Sequence, residues 1–172
     1  MTEQAEPSAP VPAKGVTRFG WMAYGVAAAV IVVDQISKFW VVDVFLLPIR
    51  SPAPILPFFS LSMVWNRGVS FGLLRADVDL ARWGLAAFAL AVAAALAFWV
   101  RKAEQALIGL ALGLIIGGAL GNLIDRVRLG AVVDFLDFSG LYFPWVFNVA
   151  DCGVSVGVAL VLLDSVISHK KP

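Results

Sequence analysis

Apolar residues gather into four long stretches of this chain, each close to the roughly 20 residues that cross a hydrocarbon core of about 30 Å as a helix. The first, about Trp21–Val42, is interrupted near its far end by Asp34, Gln35 and Lys38. Rich in alanine, the second runs about Ala81–Val100 and ends at Arg101-Lys102. The third, about Gln105–Ile124, sets Gly109, Gly113, Gly117 and Gly121 four apart, a stripe along which a neighbouring helix can approach closely. The fourth, about Val149–Ile167, opens on Asp151, holds the small pair Gly153 and Gly157, and reaches an interfacial Asp164 before Lys170-Lys171.

Between the first two stretches the pattern changes. Pro48, Pro52, Pro54 and Pro57 forbid a long helix there. From Phe58 to Phe71, apolar residues alternate over Phe59, Leu61, Met63 and Trp65, a period of two that predicts a strand. Asn66-Arg67-Gly68 is a turn-like break, in which Asn66 either closes the turn or hydrogen-bonds a substrate backbone. The predicted fold is an all-α polytopic membrane protein, a four-transmembrane-helix bundle with a small β element on the outer membrane surface. Residues 1–20, with Pro7, Pro10 and Pro12, read as a disordered cytoplasmic tail, 21–168 as a single four-span domain, and 169–172 as a short cytoplasmic tail. The first stretch is too long, and too interrupted by Asp34, for a cleaved signal peptide, so a retained span is expected.

Composition strengthens this reading. The 172 residues are 60% hydrophobic and 15% charged with a mean hydropathy of +0.88, far outside the range of soluble domains, and a net charge of +1 offers no basic surface for nucleic acid. Cys152 is the lone cysteine, which excludes an internal disulfide, and no cofactor or metal is expected. Four spans put both termini on one side. That side carries six basic residues in short segments (Lys14, Arg18, Arg101, Lys102, Lys170, Lys171); the other carries six in long or motif-bearing loops (Arg50, Arg67, Arg75, Arg82, Arg126, Arg128). The greater density predicts cytoplasmic termini in a bacterial plasma membrane, with Asp134 and Asp151 at the outer face.

Acid at such positions calls for explanation, because a carboxylate in a span costs roughly 2.5–3.5 kcal/mol even on the lenient insertion scale. Four aspartates, Asp125, Asp134, Asp137 and Asp151, lie between the third span and the first turn of the fourth. Asp34 and Lys38 form an i,i+4 ion pair, place an acid toward a site in the bundle, or do both. Asp125 reads as one half of a bundle-locking pair with Arg126, and Asp137 as a surface residue pairing with Arg126 or Arg128. Asn122 and Arg126, four apart, share a helix face. The sole histidine, His169, lies in the terminal tail and no HExxH occurs, so zinc-protease and Ser–His arrangements have no residues to use. Two carboxylates sharing one proton need neither, and can activate water and protonate a leaving amine. Cys152 beside Asp151 lacks a base or positive neighbour to form a thiolate and reads as packing.

Taken in order, Asp34-Gln35-x-x-Lys38, Asn66-x-Gly68, Gly121-Asn122-x-x-Asp125-Arg126, Val132-Val133-Asp134-Phe135 and Phe147-Asn148-Val149-Ala150-Asp151 resemble the lipoprotein signal peptidases, the type II signal peptidases of bacteria. That resemblance implies an aspartic endopeptidase that removes signal peptides from diacylglyceryl-modified prolipoproteins, cutting just before the lipidated cysteine. It implies Asp134 and Asp151 as the catalytic dyad, with Asp34, Lys38, Asn66, Gly68, Asn122, Asp125, Arg126, Asn148 and Ala150 supporting the site or lining the substrate groove. The expected partners are these prolipoproteins and membrane lipids, and the expected state is a monomer. Two rivals remain at this stage: a small proton-coupled transporter, which accounts for Asp34 but not for paired acids at one surface, and a non-catalytic assembly protein using the glycine faces.

Overall fold

The computed structural model of the protein describes residues 15–68 and 78–168. The expectations for residues 1–14, His169 and the closing lysines lie outside them. Helix α1 spans Arg18–Phe39 and continues through a wider π turn, Trp40–Val44, into the four-residue helix α2, Leu47–Arg50. Thr17 caps α1 by accepting from Gly20 N at 3.0 Å, so the helix begins a few residues before the expected start of the span. Strands β1 (Ala53–Leu56) and β2 (Phe59–Asn66) follow, then α3 (Val78–Val100) and α4 (Ala106–Leu129). The chain closes with β3 (Val132–Asp137), the two-residue β4 (Val146–Phe147) and α5 (Val149–Ser168).

Four of these helices are long and apolar enough to cross a membrane. Val33, Phe88 and Leu162 stand exposed on them, as side chains facing lipid should. This is a multi-pass membrane protein. Helix α4 is the centre of the bundle, packed against α1, α3 and α5. The glycine stripe makes the α1 contact possible: a Cβ at Gly113 would stand 2.6 Å from Ala23 O, and one at Gly117 2.7 Å from Ala27 O. A second small face, carrying Gly118, meets Ala150 of α5, while Gly157 of α5 meets Ala111 of α4 in return. Between these backbones sit Ala23, Ala27, Leu112 and Ile116.

The small β element draws strands from two distant parts of the chain. Strand β2 is the predicted one, but it belongs to a four-stranded antiparallel sheet in the order β1-β2-β3-β4. Its partner β3 comes from beyond two helices, pairing Val64 with Asp134 and Asn66 with Val132. Alternation along β3 sends Val133 and Phe135 to one face, where they pack with Val41, Leu47 and Leu61. Asp134 therefore points to the other face, the one shared with Asn66.

Candidate active site

Three corners of the fold meet at one polar cluster: the C-terminal ends of α1 and α4, the β2–β3 pair, and the first turn of α5. Asn148 immediately precedes α5 and caps it. Its Oδ1 accepts from Asp151 N at 2.9 Å while Asp151 Oδ2 accepts from Asn148 N at 3.3 Å, a reciprocal capping box that fixes both side chains before any substrate arrives. The remaining amide group of Asn148 reaches Asp134 Oδ1 at 2.6 Å and Asn122 Oδ1 at 3.1 Å. Asn122 in turn donates to Asp151 Oδ1 at 2.7 Å. Asp134 Oδ2 accepts from Asn66 Nδ2 at 2.9 Å across the β2–β3 diagonal. Asp134 and Asp151 are thus joined through one buried asparagine.

Burial is what most raises the Asp134 carboxyl, to about 6 from an ordinary 3.8, with the nearby Asp151 charge adding to it; the Asn66 and Asn148 bonds and the Lys38 charge act in the opposite sense. At neutral pH Asp134 is therefore closer to holding a proton than a surface aspartate is. Asp137 lies below the ordinary range because Ser62 Oγ donates to it at 2.6 Å and Ser139 N at 2.9 Å. It pairs with neither Arg126 nor Arg128, contrary to expectation: at the end of β3, its nearest donors are the serines beside it.

Beneath the two acids lies a fully engaged lysine. Lys38 is 4% exposed, and its ammonium reaches Asp34 at 2.8 Å, Asp125 at 2.7 Å and Asn122 Oδ1 at 3.1 Å, one partner for each of its three donors. Asp34 and Lys38 form the expected i,i+4 pair, and Asp34 also accepts from Ala150 N at 2.9 Å, tying α1 to the start of α5. Gly121 leaves room for that carboxylate, since a Cβ there would stand 2.7 Å from Asp34 Oδ2. Asp125 departs from expectation. It pairs with Lys38, not with its neighbour Arg126, because successive helical residues point about 100° apart, and its Oδ2 accepts from Val133 N at 3.1 Å, stitching α4 to β3. Gln35, which had been given no role, bridges Asp34, Gly121 O and Asp125.

Arg126 lies in the last turn of α4 and donates to Asn122 O at 3.3 Å. Among the described residues no carboxylate comes within 4.0 Å of its guanidinium, which leaves donors for another molecule. Asn66 closes the turn, its Oδ1 accepting from Gly68 N at 2.9 Å where Gly68 takes φ 90°, and its amide group holds Asp134. A cavity of about 450 Å³ opens onto Asp134, lined by Asn66, Arg67, Gly68, Trp145 and Val146. Cys152 is half-buried on the neighbouring face of α5, against α1. Among the described residues no three His, Cys, Asp or Glu side chains converge as a metal site.

The arrangement brings two carboxyl groups onto one asparagine beside an open cavity. Sequence comparison leads to the same family as the motifs: the family described as signal peptidase (SPase) II matches residues 26–167. A protein of Caulobacter vibrioides named lipoprotein signal peptidase is 53% identical over 161 residues, covering 93% of this chain and 95% of that protein. One of the same name from Methylobacterium sp. is 46% identical, covering 84% and 88%. A solved structure described as a bacterial membrane enzyme, determined by the in meso method, superimposes with a TM-score of 0.75 at 27% identity, covering 92% of this chain and 97% of that one.

Proposed function

The chain belongs to the signal peptidase II family, and from this we propose that it is the aspartic endopeptidase that removes signal peptides from diacylglyceryl-modified prolipoproteins, cutting just before the lipidated cysteine. It is a membrane peptidase, which removes the carrier reading. The observation that carries the aspartic mechanism is the Asn148 side chain, bonded to Asp134 and forming the capping box with Asp151.

In this mechanism the two carboxyl groups share one proton, which belongs to the pair and not to either residue alone. The ionised member takes a proton from water as that water attacks the scissile carbonyl. The protonated member hydrogen-bonds the developing oxyanion and supplies its proton as the C–N bond breaks and the amine leaves. In this reading Arg126 and Asn66 bond substrate carbonyls, and Gly68 admits the peptide backbone. Asp34, Lys38, Asn122, Asp125, Asn148 and Ala150 hold the frame. The apolar span faces accept the acyl chains, the enzyme acts as a monomer in the bacterial plasma membrane, and the dyad faces outward with both termini in the cytoplasm.

The test is cleavage by purified protein in detergent, using one prolipoprotein with and without its diacylglyceryl group and identifying the product by mass. The expected result is a product beginning at the lipidated cysteine, formed from the modified substrate alone. Equal cleavage of both substrates, or of neither, refutes the assignment.

A further inference from the structure

Helix α3 is peripheral to the polar cluster, yet one of its side chains reaches the corner on which the cluster turns. Arg82, 22% exposed, donates through Nε to Arg126 O at 2.6 Å and through Nη2 to Val127 O at 2.8 Å. Both acceptors are last-turn carbonyls of α4, and Val127 O lacks an i+4 partner in the helix because the chain leaves it at Gly130, in the left-handed region at φ 78°. A guanidinium at a helix C-terminus meets the negative end of the dipole, and its planar fork presents donors on separate nitrogens that match two adjacent carbonyls better than the single nitrogen of an ammonium does. The alternative partner is weak: Asp79 stands 4.0 Å from Arg82 Nη1 and is itself exposed.

Position gives this contact its importance. Asn122, Asp125 and Arg126 lie on the last two turns of α4, and the chain passes through Gly130 and Ala131 directly into β3, which carries Asp134. From the inside, Asp125 stitches the corner by accepting from Val133 N. Arg82 holds it from the outside. We propose that Arg82 is a positioning residue for the peptidase reaction: by clamping the last turn of α4 it sets where Asp134 stands relative to Asp151 and Asn122. The inference rests on the dyad reading above, and Arg82 itself touches no reacting atom.

The test compares Arg82→Met, which keeps the stem and loses every donor, with Arg82→Lys, which keeps the charge but not the fork. Four quantities are read on the purified full chain: kcat, KM, the thermal midpoint, and hydrogen exchange of the backbone amides of 126–136. For Arg82→Met the expected result is kcat lower by about 10- to 100-fold with KM within about threefold, a midpoint close to wild type, and faster exchange confined to 126–136. Arg82→Lys should recover part of the loss in kcat. A merely structural role would instead lower the midpoint and the folded fraction while leaving kcat per folded molecule unchanged. That outcome overturns the proposal, as does wild-type kcat in Arg82→Met. If Arg82→Met fails to fold, Arg82→Lys decides alone, and full kcat in it is contrary to the proposal. Asp134→Asn runs beside them: activity there refutes the dyad, whereas an inactive Asp134→Asn with a fully active Arg82→Met refutes only the role of Arg82.

Discussion

Replacing Lys38 by methionine probes the charge balance beneath the site. Methionine keeps most of the volume and the unbranched stem, so packing changes little, but it withdraws the only cation within 4.0 Å of Asp34 and Asp125 among the described residues. Asp34 is 0% exposed and Asp125 2%, so neither can turn to water. Breaking a buried pair by removing one partner costs about 3–5 kcal/mol, because a desolvated charge is left uncompensated. For a chain of this length each kcal/mol lowers the melting midpoint by about 2–4 °C, giving a fall of about 6–20 °C. Adding Asp34→Asn and Asp125→Asn should recover most of it, since a buried ionic cluster replaced as a whole by neutral groups costs little. The assay is thermal unfolding in detergent followed by tryptophan fluorescence, repeated across pH. Asp134 supplies the sign. Its folded value of about 6 lies above its ordinary 3.8, so its contribution to stability is fully present below about 3.8 and is lost as pH rises through about 6. The Lys38 charge lowers that value, so in Lys38→Met the same loss should move to higher pH. A midpoint within about 2 °C of wild type, or a limb displaced to lower pH, would refute the reasoning.

Three further outcomes are expected. Gly117→Leu should separate α1 from α4, because even its Cβ would stand 2.7 Å from Ala27 O; the loss of midpoint should exceed the roughly 1–3 kcal/mol of ordinary overpacking, and a wild-type melt would contradict the close approach. Cys152→Ala should cleave at close to the wild-type rate, whereas an inactive but folded variant would point to a covalent route through sulfur. Reporter fusions after Lys102 and Lys171 should read cytoplasm and fusions near Asp77 the outside; the inverted pattern would remove the dyad from the outer face.

The spans were legible because length and hydropathy are local properties, and the glycine stripe because its period of four directly encodes a helix face. The Asp34–Lys38 pair was readable for the same reason. The α4 end was legible in part: the span reads to about Ile124 with Arg126 still on the helix, and the structure carries the helix on to Leu129, with Asp125 paired to Lys38 and Arg126 donating to Asn122 O. The pairing of Asp125 with Lys38 joins residues far apart in sequence, while the adjacent Arg126 offered a misleading partner. Strand β3 escaped notice since its run Val132–Phe135 is buried on both faces and shows no clean alternation. The capping box could have been found, as Asn148 and Asp151 stand three apart at the head of an apolar run. No local signal marks Arg82, whose acceptors are backbone carbonyls on another helix.

The most direct measurement is single-turnover cleavage of a lipidated prolipoprotein by Asp134→Asn and by Asp151→Asn, each first shown by circular dichroism and melting to be inserted and folded. An amide can neither hold nor pass the shared proton, so each variant alone should lose about 10²–10⁴-fold in the cleavage step. Asp137→Asn, altered outside the Asn148 frame, should cleave near the wild-type rate. Cleavage at the wild-type rate by either folded dyad variant would contradict the aspartic mechanism.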